Sequence, residues 1–454
     1  MSRTLITGGT VVTSTGSFVA DVLAVDGTIA RIGAELDFAA DHVFDARGQY
    51  VIPGGIDVHT HVEIEFAGVR STDDFTSASI AAAHGGTTTM LDFCFQEEGE
   101  SFPSALARWK AALAAAPPVF DIGVHMVVRD LSSPSRVSEL RALPAAGVSS
   151  FKLFMAYRGT FMVGDPAMWQ TMRVAAETGA LVMVHAENGD AVAALIDEAV
   201  AAGNLGLPWH ARTRPPETEA EAVTRAMMFA ELTGARTFIV HMSSALGAEA
   251  LRAARARGLD VWGETCPQYL LLDDSILEGP PEDALRGIFS PPPRKVADQE
   301  ALWTALRSGG LDLVSTDHQT FDLKHKLPKA HDFTQVANGG PSVEERLALV
   351  YEYGVRAGRI SLEQWVELCC TAPARLFGMQ GRKGEIAVGC DADIVIWDPD
   401  RPRTISVETA HSLGDYAMYE GFEVSGAPSV VLIAGAPMAL DDPHGGFLHR
   451  IRSI

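Results

Sequence analysis

Apolar residues in this chain fall into short runs, and the texture of those runs changes twice along its length. From the start to about residue 50 they form brief β-type pieces, Leu5-Ile6, Val11-Val12, Val22 to Val25 and Ile29 to Ile32, separated by Gly, Asp and Ser. The same texture returns in Asp393 to Trp397 and Ser429 to Ile433. Between these ends, β-branched and aromatic runs alternate with Ala-, Leu- and Glu-rich stretches of helical period, such as Ala191 to Ala202 and Glu217 to Leu232. Eight strand candidates emerge: Tyr50 to His61, Thr87 to Cys94, Phe120 to Val127, Ser150 to Ala156, Leu181 to His185, Thr237 to His241, Asp260 to Cys266 and Leu311 to Asp317. Parallel strands need helical crossovers, so this α/β alternation predicts a (β/α)₈ TIM barrel over residues 51–383. The two β-rich ends predict a small β-sandwich domain with the C-terminal segment, residues 1–50 plus 384–454. An open, doubly wound sheet is the competing architecture.

The polar residues favour the barrel. His59, His61, Lys152, His185, His241 and Asp317 all stand at the carboxyl ends of strand candidates, where α/β barrels gather their catalytic groups. His59 and His61 are two apart on an extended segment, so both project from one face and can chelate one ion. His185 and His241 each close a Val-rich run. A lone histidine of this kind usually serves a core hydrogen bond, but two beside an HxH pair point to metal. Lys152 lies within Ser-Ser-Phe-Lys-Leu-Phe-Met, where a bare ammonium is costly to bury. Two readings stand: a lysine snorkelling to solvent, or an amine of depressed pKa that takes up carbon dioxide as a carbamate. Asp317 caps the following turn or binds metal and moves a proton.

Four imidazoles, one carbamate and one carboxylate suit two divalent cations, zinc first, with manganese, iron or cobalt as substitutes. Water shared by two such cations is a strong nucleophile near neutral pH, so hydrolysis is the expected chemistry. Glu264, at the end of the seventh candidate, orients a ligand or backbone group rather than touching metal. His318 is placed behind Asp317 in support. The remaining histidines, at 42, 84, 125, 210, 325, 331, 411, 444 and 449, are assigned to structure or surface.

Composition narrows the partners. With 454 residues, 47% hydrophobic and 21% charged, the chain has the make-up of a packed globular protein. A net charge of -22 argues against nucleic acid and anionic membrane. No apolar stretch reaches the ~20 residues that cross a bilayer, and no secretory signal is visible at the amino terminus. Five cysteines without CxxC spacing read as reduced thiols, so a soluble, cytoplasmic protein is expected.

The chain resembles the hydantoinase and dihydropyrimidinase family of cyclic amidohydrolases. The segments that carry this are Pro-Gly-Gly-Ile-Asp-Val-His-Thr-His61, Ser-Phe-Lys-Leu-Phe-Met-Ala-Tyr157, Val-Met-Val-His-Ala-Glu-Asn-Gly189 and Arg-Pro-Pro-Glu-Thr-Glu219. They continue through Ile-Val-His-Met-Ser-Ser244, Gly-Glu-Thr-Cys-Pro-Gln-Tyr269, Ser-Pro-Pro-Pro-Arg294 and Ser-Thr-Asp-His318. The resemblance implies ring opening of dihydropyrimidines or 5-substituted hydantoins to N-carbamoyl amino acids, with two metals bridged by carboxylated Lys152. It implies that His59, His61 and Asp317 hold the more buried ion and that His185 and His241 hold the other. Asp317 then carries the proton to the leaving nitrogen, and Tyr157 hydrogen-bonds the developing oxyanion. Ser290 and Asn338 hold the ring through backbone groups, and a homotetramer is implied.

Two departures from the family pattern are visible: Glu63-Ile64-Glu65-Phe66 after His61, and Gln319 where a Cys is frequent. Ile64, Phe66, Phe95 and Phe161 are expected to wall the pocket for the ring substituent, with Glu65 bearing on substrate range and enantiomer. Allantoin and dihydroorotate are the alternative substrates, with Arg70 or Arg158 as the cation they need. A non-catalytic scaffolding relative is the remaining alternative, and the intact ligand set speaks against it.

Overall fold

The computed structural model describes residues 2–439, 443 and 445–451; His444 lies outside them. Eight parallel strands run in sequence order around one sheet: Gly55–Thr60, Thr87–Phe95, Ile122–Val127, Ser150–Phe154, Leu181–His185, Thr237–Ile239, Val261–Thr265 and Leu313–Val314. A parallel bridge from Thr60 to His318, with the His61 amide donating to the His318 carbonyl at 2.8 Å, closes the ring into a barrel. Helices Phe75–His84, Phe102–Ala115, Asp165–Thr178, Gly189–Ala201, Pro216–Thr233, Ala245–Ala256 and Val296–Ser308 fall between the strands. The helical stretches read from periodicity thus form, with ends shifted by one or two residues. No helix among the described residues is long and apolar enough to cross a membrane.

The strand period sets what faces inward. Side chains two apart share a face, so Leu181, Met183 and His185 follow one another up the barrel wall. Leu181 and Met183 join Leu91, Phe93, Val127 and Phe238 in the interior core, leaving His185 at the carboxyl rim. Lys152 pairs in register with Met183, and Phe154 with His185.

A second sheet holds Arg3–Thr13, Gly16–Val25, Thr28–Gly33, His42–Asp45, Tyr50–Pro53, Ile394–Thr404, Glu423–Ile433 and Ala436–Pro437. Both ends of the chain therefore build it around Ile6, Val22, Val51, Ile394 and Leu432. One expectation changes here. The candidate Tyr50 to His61 is two strands, not one. Tyr50–Pro53 pairs with Ile394–Thr404 and Arg3–Thr13 in the smaller sheet, and the barrel begins only at Gly55. Pro53 has no amide to extend a ladder. Gly54 and Gly55 then pass so close to Thr88 and Leu347 that an added methyl would lie 1.9 and 2.7 Å from them. The chain crosses from sheet to barrel at two residues whose surroundings exclude a side chain.

The carboxyl tail returns to the barrel. Ile122 donates to the Gly446 carbonyl at 2.9 Å, Leu448 joins the interior core, and Arg450 is fully buried at its base.

Candidate metal centre

Strand ends bring the six donors together. His59 Nε2 and His61 Nε2 each lie 3.1 Å from the same oxygen, Asp317 Oδ1. His241 Nε2 stands 2.9 Å from His185 Nδ1. Ligand atoms of His59, His241 and Asp317 lie within 4.8 Å of one another. Lys152 sits between the two groups under the faces of Phe93 and Phe154, its Nζ 5.0 Å from each ring centre.

Several of these atoms lack partners of their own. His59 Nε2, His61 Nδ1, Lys152 Nζ and His241 Nδ1 are buried without a well-formed hydrogen bond. An unsatisfied buried polar group costs about 1–3 kcal/mol, and Lys152 Nζ and His59 Nε2 carry that cost beside the converging ligand atoms, which calls for an occupant there. Nitrogen and oxygen donors converging in this way fit divalent metal.

The backbone is strained at the same points. Tyr157, His241 and Asp317 have φ of 65°, 39° and 56°, values that side-chain-bearing residues rarely adopt. The strands end at Ile239 and Val314, short of the histidine and the aspartate. Such strain persists only where surrounding structure enforces it. Here Glu219, from the helix Pro216–Thr233, accepts from Ser243 N at 2.9 Å and Oγ at 2.8 Å, and from Ser244 Oγ, fixing the turn after His241. Asp57 accepts from the His59 amide at 3.1 Å and from Thr316 Oγ1 at 2.6 Å, tying the first and last strands together below Asp317.

Carboxylates orient the rings from behind. Glu264 Oε1 lies 2.5 Å from His59 Nδ1 and accepts from the His241 amide at 3.3 Å, the orienting position expected of it. Glu187 Oε2 lies 2.8 Å from His185 Nε2. Glu187 carries no expected role in the sequence, where it stands only within the family-like segment that ends at Gly189. A carboxylate two residues past a ring that ends a strand was the available signal. Asn188 caps the helix Gly189–Ala201 through Ala191 N at 3.0 Å, which turns the chain so that Glu187 reaches back. His318 Nδ1 accepts from Ser342 N at 3.0 Å, and its Nε2 is 3.6 Å from Asp73 Oδ2, placing it behind Asp317.

Burial governs the charges. It pulls the Lys152 ammonium down to about 7, against the opposing influence of Asp317 and Glu264. Burial also resists ionisation of Asp317, but the His59 and His61 rings outweigh it and hold the carboxyl well below the usual range. Burial pushes the Tyr157 phenol up, so it stays protonated.

All thirteen site residues read from the sequence line one cavity: His59, His61, Ile64, Phe66, Phe95, Lys152, Tyr157, Phe161, His185, His241, Ser290, Asp317 and Asn338. Phe154, Phe289, Gln319 and Gly339 complete it. Phe66 meets Tyr157 edge-on at 5.6 Å and stacks on Phe161 at 5.9 Å, forming an apolar wall. Asn338 Nδ2 donates to Ser290 Oγ at 3.1 Å on the polar side. Glu65 is exposed, because strand alternation turns it outward between Ile64 and Phe66. Neither Arg70 nor Arg158 lines the cavity; each is exposed and paired, with Glu63 at 3.4 Å and Asp197 at 3.5 Å.

Comparison with known proteins agrees with this geometry. The amidohydrolase family model matches residues 50–438. A D-hydantoinase of Rhizobium radiobacter is 47% identical over 95% of this chain and 94% of its own length. One from Geobacillus stearothermophilus is 45% identical over 95% and 92%. The crystal structure of dihydropyrimidinase from Brevibacillus agri NCHU1002 superposes with a TM-score of 0.96 at 41% identity, covering 100% of this chain and 99% of that one. The chain belongs to the amidohydrolase family, among its hydantoinase and dihydropyrimidinase members.

Proposed function

We propose that this protein is a metal-dependent hydrolase that opens cyclic amides and ureides, dihydropyrimidines or 5-substituted hydantoins, to N-carbamoyl amino acids. The observation that carries this is the convergence of four imidazoles, a buried lysine and an aspartate on one cavity that also holds a phenol and an aromatic wall. The names of its relatives support the substrate class and the D hand at the substituted carbon.

Lys152 is read as carboxylated. Its amine nitrogen would attack carbon dioxide and lose a proton, giving a carbamate that would supply anionic oxygen ligands to the two ions. The buried, unpartnered Nζ and its pKa near 7 support this. His59, His61 and Asp317 would hold the more buried ion and His185 and His241 the other, with zinc best suited to such donors. Two divalent ions bound there activate water and polarise the amide carbonyl. Asp317 takes the proton from the attacking water and delivers it to the ring nitrogen as the C–N bond breaks. Tyr157 donates to the oxygen that becomes negative. Ser290 and Asn338 present backbone groups to the ring.

Five buried free thiols suit a reducing compartment, which supports a cytoplasmic location. Met228 and Leu232, exposed on the helix Pro216–Thr233 near Trp169, support burial against further copies in a homotetramer.

The test is a substrate panel run with elemental analysis. Purified protein should carry stoichiometric divalent metal and open dihydrouracil and 5-phenylhydantoin. Lys152→Ala should lose metal and activity together and recover part of both when a short carboxylic acid is added. Full activity and metal content in that variant without the acid would overturn the bridging role.

A further inference from the structure

We infer that Gln319 is a specificity-determining residue whose carboxamide holds a neutral hydrogen-bonding group, a carboxamide or hydroxyl, on the ring substituent of the substrate. This rests on the cyclic-ureide reading above and adds the chemistry of the side group it takes.

Gln319 lines the cavity and is half-buried. The other polar side chains there belong to the reaction centre or to the ring-binding side. The histidines, Lys152 and Asp317 face one another, and Asn338 lies between Ser290 Oγ and the Tyr157 phenol. The Gln319 amide nitrogen of the main chain donates to the Gly340 carbonyl at 3.1 Å. Its side-chain carboxamide engages no hydrogen-bond partner among the described residues.

The seat of that carboxamide is built. A methyl group at Gly339, where φ is +127°, would come within 2.6 Å of Gln319 Oε1 and 2.8 Å of its Cβ, so bare backbone supports the side chain from behind. Thr320 accepts from the Thr72 amide at 2.9 Å, and Phe321 packs with Ala337, Ile64 and Phe66. Gln319 therefore stands where the apolar wall meets the loop that carries Asn338 and Gly339. Phe66 and Gln319 line the same cavity, so a substituent packed on the apolar wall shares that space with the carboxamide.

A primary amide offers two donors and an acceptor without charge. A carboxamide or hydroxyl on the substituent satisfies it. An alkyl group of the same shape leaves both it and the cavity's polar edge unpaired. A carboxylate loses its water without gaining a cation.

The experiment compares wild type, Gln319→Met and Gln319→Leu on 5-(carbamoylmethyl)hydantoin and the nearly isosteric 5-isobutylhydantoin, with unsubstituted hydantoin as the ring-opening reference. The expected result is that the carbamoylmethyl-to-isobutyl ratio of kcat/KM falls about tenfold in both variants, carried by KM. An unchanged ratio overturns the inference and leaves the hydrolase reading intact. An equal loss on all three substrates also overturns it, because Gln319 then serves the ring or the fold. Failure of the wild type to open any of the three removes the hydrolase reading and this inference together.

Discussion

Glu264 holds His59 by its far nitrogen, at 2.5 Å, so that Nε2 is left to face Asp317 at 3.1 Å. The same carboxylate oxygen accepts from the His241 amide, so one side chain fixes the ring of one histidine and the backbone of another. A carboxylate behind a ligating imidazole sets its tautomer and raises its basicity. Glu264→Ala should lower metal affinity about 10–100-fold, and Glu264→Gln, which keeps the acceptor but not the charge, should lower it less. Competition with a chromophoric chelator reads this directly. Wild-type affinity in the alanine variant would remove Glu264 from the design.

Phe66 is the hinge of the apolar wall, touching both Tyr157 and Phe161. Its hairpin, Glu65–Phe66 against Val69–Arg70, is two residues long on each side. Phe66→Ala opens the wall without reaching the histidines. The expected outcome is a KM for 5-phenylhydantoin raised roughly tenfold, with dihydrouracil, which has no substituent to pack there, affected several-fold less. Equal losses on both substrates would show that Phe66 acts by holding Tyr157 instead.

The metal-facing histidines and Asp317 were legible because each closes an apolar run, whereas Lys152, mid-strand in Ser150–Phe154, stood out only as a charge inside one. His59, His61, Lys152, His185, His241 and Asp317 all line the one cavity. Tertiary distances were not legible in the same way. Glu187 and Glu219 act across 2.8–2.9 Å gaps, and Glu219 reaches a strand end 24 residues away. Tyr50–Pro53 was read into the barrel because its apolar pattern runs unbroken into Gly55–Thr60, and only the crowding at Gly54 and Gly55 separates the two. Arg70 and Arg158 have the right charge for an acidic substrate, yet both point to solvent.

Lys326 provides a pH test away from the histidines. It is fully buried, donating to the Gly339 carbonyl and to Tyr416 OH at 3.1 Å, and burial draws its pKa from 10.5 to about 7. Between those values the unfolded chain holds a proton that the folded chain has lost, so stability rises with pH across the window. Lys326→Met lacks this contribution. The unfolding free energy of wild type minus variant should grow by up to about 1.4 kcal/mol per pH unit between pH 7 and 10.5. Urea titrations at three pH values measure it; a flat difference would mean that the folded protein keeps the ammonium charged.

Arg450 closes the barrel from the opposite end. Its guanidinium donates to the Val124 carbonyl, to Ser150 Oγ at 2.9 Å and to the Phe377 carbonyl at 3.4 Å, and burial lowers its pKa to about 9. Ser150 in turn lies 2.5 Å from His125 Nδ1, whose other nitrogen meets the Val58 carbonyl at 3.0 Å. A polar column thus runs from the tail up the barrel axis to the residue before His59. Arg450→Ala empties the base and removes the donor from the Val124 and Phe377 carbonyls and from Ser150 Oγ, which keeps His125; an acceptor buried unpaired costs about 1–3 kcal/mol. The melting temperature should fall by several degrees or more. The column ends on a carbonyl and touches no metal-facing nitrogen, so kcat measured well below the transition should stay within about twofold of wild type. A variant that melts normally but has lost its metal would instead make the tail part of the metal-binding apparatus.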